Sequence, residues 1–133
     1  MPVSRERKLE LLQEIFQKLS KKSEETAILV EGKKDGSSLR KLGVRGKIIC
    51  VKNSCKVFSD SLDQIQTGEV ILLVDFDDYG KTLAGNITQY LEGKRVKVNS
   101  VFWKRIKAIV RKDVKDVEGI PSYLEKLKKS LHI

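Results

Sequence analysis

The sequence has 133 residues, 40% hydrophobic and 34% charged, enough to close one core without staples, so a single domain over residues 1–133 is expected. No run approaches the ~20 apolar residues of a membrane-crossing helix, and the opening MPVSRERKLE lacks the apolar stretch of a signal peptide; the expectation is a cytoplasmic protein without a spanning helix. The net charge of +9 is uneven: residues 94–129 carry 12 basic and 4 acidic groups, residues 1–93 carry 15 and 14, so the last third is either a phosphate-attracting surface or a lysine-rich solvated one.

Leu9, Leu12, Ile15, Phe16 and Leu19 recur at helical spacing with charges between them. They predict an amphipathic helix over residues 4–22, within an N-terminal segment 1–25. After the polar KKSEE, Ala27 to Val30 is a short aliphatic run that reads as a buried strand and ends abruptly at Glu31-Gly32. The strand therefore delivers a carboxylate at its own carboxyl end. Residues 34–42 read as a helix stopping at Gly43, Ile48 to Val51 as a second buried strand, residues 58–66 as a short helix and Thr67-Gly68 as a turn. Cys50 and Cys55 have no second pair and no nearby histidine, so a zinc site lacks ligands; free thiols are expected, with a disulfide as the alternative.

Val70 to Val74 is the strongest strand, and Asp75-Phe76-Asp77-Asp78-Tyr79-Gly80 follows it directly. Leu83, Ala84, Ile87, Tyr90 and Leu91 then mark a helix closed by Gly93. Val96 to Phe102 reads as a fourth strand, weakened by Asn99 and Ser100 and so placed near an edge. Pro121, with Ile120, Tyr123, Leu124, Leu127 and Leu131, gives a terminal helix within residues 119–133. Strands alternating with helices predict an α/β fold, a mainly parallel, four-stranded, Rossmann-like sheet with helices on both faces.

In such a sheet ligands bind beyond the carboxyl ends of the strands. Glu31 and Asp75 sit at two of those ends, and if the chain stays extended through Phe76, Asp75 and Asp77 project to the same side. Three converging carboxylates repel one another unless a proton or a cation is shared among them. An all-oxygen donor set without histidine or cysteine favours a hard cation, with Mg²⁺ as the natural choice. The competing reading makes Asp75, Asp77 or Asp78 the cap of the following helix and Glu31 a loop acid.

The stretch Val30-Glu31-Gly32-Lys33-Lys34-Asp35 resembles the glutamate motif of Toprim domains. Leu72 to Gly80, continuing to Ala84, resembles their Asp-x-Asp motif, and the region that corresponds runs over about residues 26–118. The short chain is similar to the small stand-alone Toprim proteins of archaea and bacteria, relatives of the nuclease that matures 5S ribosomal RNA. The resemblance implies acid/base work for Glu31 at a phosphodiester, and Mg²⁺ ligation by Asp75 and Asp77, with Glu31 as a possible further ligand. Asp35 falls within the first motif. Asp78 is an extra acid that many Toprim sequences lack. The stretch from Lys112 to Glu118 resembles an acidic segment of primase-type members, which would bring Asp113 and Asp116 near the site; a solvated loop is the alternative.

The expected reaction is Mg²⁺-dependent cleavage of phosphodiesters in structured nucleic acid, RNA favoured over DNA by the resemblance alone. Positioning and charge stabilisation are most of what phosphoryl transfer asks of a protein. Lys33, Lys34 and Lys81 flank the acids, and Lys104, Arg105, Lys107 and Arg111 surround Trp103, on which a base could stack; a partly core ring is the commoner place for a single Trp. The alternative is a nucleic-acid-binding or adaptor module that keeps the Toprim fold without turnover. A phosphotransferase with Asp75 as nucleophile fits less well, because that motif usually follows the first strand.

Overall fold

The computed structural model describes residues 3–52, 62–63, 65 and 68–132. Helix α1 spans Arg5–Ser23, and its start is fixed by Ser4, whose hydroxyl accepts from the Arg7 N–H at 3.2 Å. The five apolar residues at helical spacing are the ones it buries. Against them pack two later helices, α4 (Val101–Val110) and α5 (Ile120–Ser130).

Four strands, β1 (Ile28–Val30), β2 (Ile48–Cys50), β3 (Glu69–Leu73) and β4 (Lys97–Asn99), form one parallel sheet in the order β2-β1-β3-β4. The two central strands are sealed: Ile28, Leu29, Val30, Val70 and Ile71 expose nothing, and Leu72 and Leu73 expose 1%. Removing such side chains from water stabilises the fold by about 1.5 to 3 kcal/mol each. Their β-branched, unbroken sequences are what a strand covered on both faces requires.

The connection from β1 to β2 runs outward through α2 (Lys33–Lys41), and that from β3 to β4 runs outward in the opposite direction through α3 (Asp78–Gly93). Crossovers of one hand that travel in opposite directions put their helices on opposite faces of the sheet. The expected α/β architecture is thus present.

The fourth strand is shorter than the sequence suggested. Asn99 Oδ1 accepts from the Val101 N–H at 3.0 Å, which turns the chain out of the strand, and Val101 and Phe102 open α4 instead of ending β4. β4 is an edge strand, as expected, paired with β3 alone. The expected helix over 58–66 lies largely outside the described residues, as do Cys55 and Thr67; Cys50, half-buried at the end of β2, is a free thiol. A 3-10 turn (Val117–Gly119) leads into α5, which carries Pro121 in its first turn, where the missing N–H costs nothing.

Candidate metal centre

β1 and β3 lie side by side, and their connections diverge, so the crevice beyond their carboxyl ends is the topological switch point of the sheet. Glu31 follows β1 and Asp75 follows β3 by two residues, which places both in that crevice. A third acid joins them. Asp35 stands in the first turn of α2, where its Oδ2 accepts from the Gly32 N–H at 3.0 Å, and this turns its carboxyl inward. Oxygen atoms of Glu31, Asp35 and Asp75 all lie within 4.8 Å of one another.

The cluster is dry. Glu31 is 5% exposed and Asp35 7%. Lys52 Nζ holds Glu31 Oε1 at 3.1 Å, but Glu31 Oε2 and Asp75 Oδ1 are buried without a hydrogen-bond donor. Burial, then the adjacent Glu31 carboxyl and the charge of Asp35, push Asp75 up to about 8, against a lowering hydrogen bond from the Val117 N–H. Two ionised carboxylates cannot bond each other, whereas with one proton between them Glu31 and Asp75 can; the pair is built to share a proton or a cation. Asp35 is raised too, first by burial, then by Glu31, Asp116 and Glu118, while its bond from Gly32 opposes the shift.

Several elements hold these acids in place. The Phe76 N–H donates to the Lys115 carbonyl at 2.7 Å, and Ser38 Oγ donates to the Glu118 carbonyl at 3.4 Å, so the 115–118 segment is tied to both motifs. Asp116 Oδ1 accepts from the Gly119 N–H at 2.8 Å. Gly80 is required by contact: a Cβ there would lie 2.0 Å from the Asp75 carbonyl oxygen. α3 can start this close to the end of β3 only because that position has no side chain.

Asp77 lies apart from this arrangement. The extended backbone that would align it with Asp75 ends with β3 at Leu73; the chain bends at Phe76, and Asp77 Oδ1 caps α3, accepting from the Gly80 N–H at 2.8 Å. Asp78, the first residue of α3, is exposed. Asp113 is engaged elsewhere, with Tyr123 Oη at 2.9 Å and Lys8 Nζ at 3.6 Å. Of the expected acids, then, Glu31, Asp35 and Asp75 meet, Asp116 stands close enough to act on Asp35, and Asp77 serves the helix.

Lys52 and Tyr79 were not read from the sequence as site residues. Lys52 follows the second strand just as Glu31 follows the first, so the same strand-end rule would have found it. Its ammonium also lies 4.3 Å from the centre of the exposed Tyr79 ring, and Tyr79 and Glu31 together hold it above its usual pKa.

Lys33 and Lys34, at the start of α2, are exposed beside the cluster. A groove of about 580 Å³ is lined by Lys81, Trp103, Lys104, Lys107, Ala108 and Arg111, with no acid among them; Arg105 is exposed outside that lining. Trp103 takes the core reading and not that of an open stacking platform. It is 7% exposed, its indole N–H donates to the Val74 carbonyl at 2.9 Å, and Lys107 Nζ stands 5.2 Å from its ring centre. Val74 lies beyond the pairing of β3 with β4, so its carbonyl takes this side-chain donor, and the ring is drawn into the core. A larger hollow of about 940 Å³, between α1 and α5, holds none of the clustered acids.

Fold and site together define a parallel-sheet α/β protein with a buried carboxylate cluster at its switch point. A scan against models of known protein families finds no match. Among curated proteins, a UPF0292 protein of Methanocaldococcus jannaschii is 37% identical over 123 residues, which cover 92% of this chain and 96% of that protein. The chain belongs to the UPF0292 family. A member from Thermococcus onnurineus is 41% identical across 72% of this chain and 71% of its own, and one from Methanosarcina acetivorans 32% identical across 92% and 85%. These relatives are archaeal. Among solved structures, a protein from Aquifex aeolicus superposes with a TM-score of 0.70 at 29% identity, covering 80% of this chain and 95% of that one.

Proposed function

We propose that this is a Toprim-type, Mg²⁺-dependent nuclease that cleaves phosphodiesters in structured nucleic acid. The observation that carries the reading is the pair of buried oxygens without donors, Glu31 Oε2 and Asp75 Oδ1, facing a common space with Asp35 at the switch point. Buried polar atoms without partners are rare in native proteins and call for a ligand. The donors are all carboxylate oxygens, a set suited to a hard divalent cation.

Glu31, Asp35 and Asp75 would hold the cation. Once bound, it supplies positive charge for a phosphate and acidifies water. The chain's own part is positional. Asp35 is locked by the Gly32 amide and Asp75 by the Val117 amide, so neither carboxyl has to reorganise when a ligand arrives. Glu31 has a donor-free oxygen on which to hold or release a proton. Lys81, Lys104, Lys107 and Arg111 form a cationic track for the phosphate backbone, joined to the site through the Trp103 bond to Val74, next to Asp75 in the chain.

Incubation of the purified protein with labelled structured RNA and DNA, with Mg²⁺ and with chelator, tests this. Cleavage should require the metal and fall about a hundredfold or more in Glu31→Gln and in Asp75→Asn. Binding without cleavage would make the protein an adaptor that uses the groove alone. Cleavage indifferent to both substitutions would place the chemistry elsewhere.

A further inference from the structure

Lys52 is the only cation among the described residues that forms an ion pair with an acid of the cluster. Its backbone is fixed, since the Lys52 N–H donates to the Glu31 carbonyl at 2.9 Å, but its side chain is 55% exposed. The ammonium thus reaches inward from the rim. It touches one oxygen of Glu31, leaves the other without a donor, and rests against the Tyr79 ring, which stands exposed at the start of α3. The contact spans the mouth of the crevice, from the end of β2 to the segment that follows β3.

We propose that Lys52 is a placeholder cation: it occupies Glu31 in the metal-free protein, gives way when a divalent cation enters, and then contacts the phosphate of the bound nucleic acid. The inference rests on the reading of the cluster as a metal centre. An ammonium and a divalent cation compete for the same carboxylate and repel each other within it. Lys52 moves more freely than the acids, because Glu31 and Asp35 are buried and Asp35 and Asp75 are tied to backbone amides, while its own stem is half in water. The Tyr79 face gives the displaced ammonium a second resting place, attractive to a cation yet without charge to hold it there. An ammonium left at the rim of a loaded site faces outward, where an incoming phosphate lies, and it keeps donors free to bond it.

The consequence distinguishes this role from a structural one, because removing the charge should move two affinities in opposite directions. Mg²⁺ binding, measured by titration calorimetry on the metal alone, should tighten roughly three- to tenfold in Lys52→Met, given the modest strength of half-exposed ion pairs. Binding of a labelled RNA hairpin in the presence of Mg²⁺ should weaken by about as much. Lys52→Arg keeps the charge and should restore both values toward wild type, and thermal unfolding of each variant verifies that it is folded. Equal Mg²⁺ affinity in wild type and Lys52→Met, or weaker binding in the variant, would overturn the placeholder role while leaving the metal centre standing. Absence of Mg²⁺ binding in both proteins would remove the metal centre and this inference with it. Tightened Mg²⁺ binding with unchanged hairpin affinity would refute the phosphate contact.

Discussion

Asp75 concentrates what is unusual about this protein at the scale of one residue. Its carboxyl, raised to about 8, is protonated in the metal-free fold at a pH where an exposed aspartate is ionised. The folded state therefore binds more protons than the unfolded chain between about pH 4 and pH 8, so this contribution to stability is complete below the unfolded value and is lost as pH rises through the folded one. In chelator, the thermal midpoint should decline from pH 5.5 to pH 8.5, and the decline should be blunted in Asp75→Asn. In the metal centre proposed above Mg²⁺ would replace the proton, so the stabilisation it confers should grow over the same interval. A midpoint flat with pH in wild-type protein would show that Asp75 carries no raised pKa. Asp75 was legible because it follows an aliphatic run; Asp35 was legible only through its place in the motif that resembles the Toprim glutamate motif. Asp35 has the look of an ordinary first-turn acid, and only the Gly32 bond, which faces it toward Glu31, makes it part of the cluster.

At the scale of elements, the start of α3 decides the geometry. Gly80 lies so close to the Asp75 carbonyl that even a methyl group must shift the helix or the strand end. Gly80→Ala should destabilise the protein by about 2 to 4 kcal/mol in denaturant titrations and weaken Mg²⁺ binding more than an Ala substitution at exposed Gly85, where nothing lies within 4 Å. The same helix start explains where the sequence reading went astray. Period-two alternation put Asp77 beside Asp75 on the premise of extended chain, but the chain bends at Phe76, and Asp77, itself extended, is the residue that caps α3. Likewise a β-branched Val101 suggested strand, while Asn99, by bonding two residues ahead, starts a helix. Hydrophobic runs located the central strands well; local side-chain to backbone bonds set their ends, and those bonds are invisible to periodicity.

For the whole molecule, the excess of positive charge in the last third gains a shape. Two of the four groove cations come from α4, Arg111 caps its carboxyl end, and Lys81 comes from α3, so the two helices supply opposite sides of the groove. Arg111 adopts a positive φ of 34°, a backbone conformation that a glycine would take at less cost, and its side chain lines the groove. Reversing Lys104 and Lys107 to Glu should lower affinity for RNA in chelator by tenfold or more and reduce the slope of log affinity against log salt by about two. The same reversal at Lys126 and Lys129, on α5, should change neither by as much. If both pairs behave alike, the attraction is a general charge effect and the groove has no special part. The charge asymmetry could be counted from the sequence. Which lysines share a groove could not, because Lys81 and Lys104 lie on different helices that only the folded chain brings together.

The ties from Phe76 to Lys115 and from Asp75 to Val117 mean that the acids at the ends of β1 and β3 are completed by chain from far downstream. While the chain is being synthesised, Glu31, Asp35 and Asp75 are all made well before the residues that lock them. A nascent protein therefore carries the acids without their locks, and the cation affinity proposed for them would arrive only when the last third docks. The cleavage proposed for this site would thus be withheld until the fold that supports it is whole.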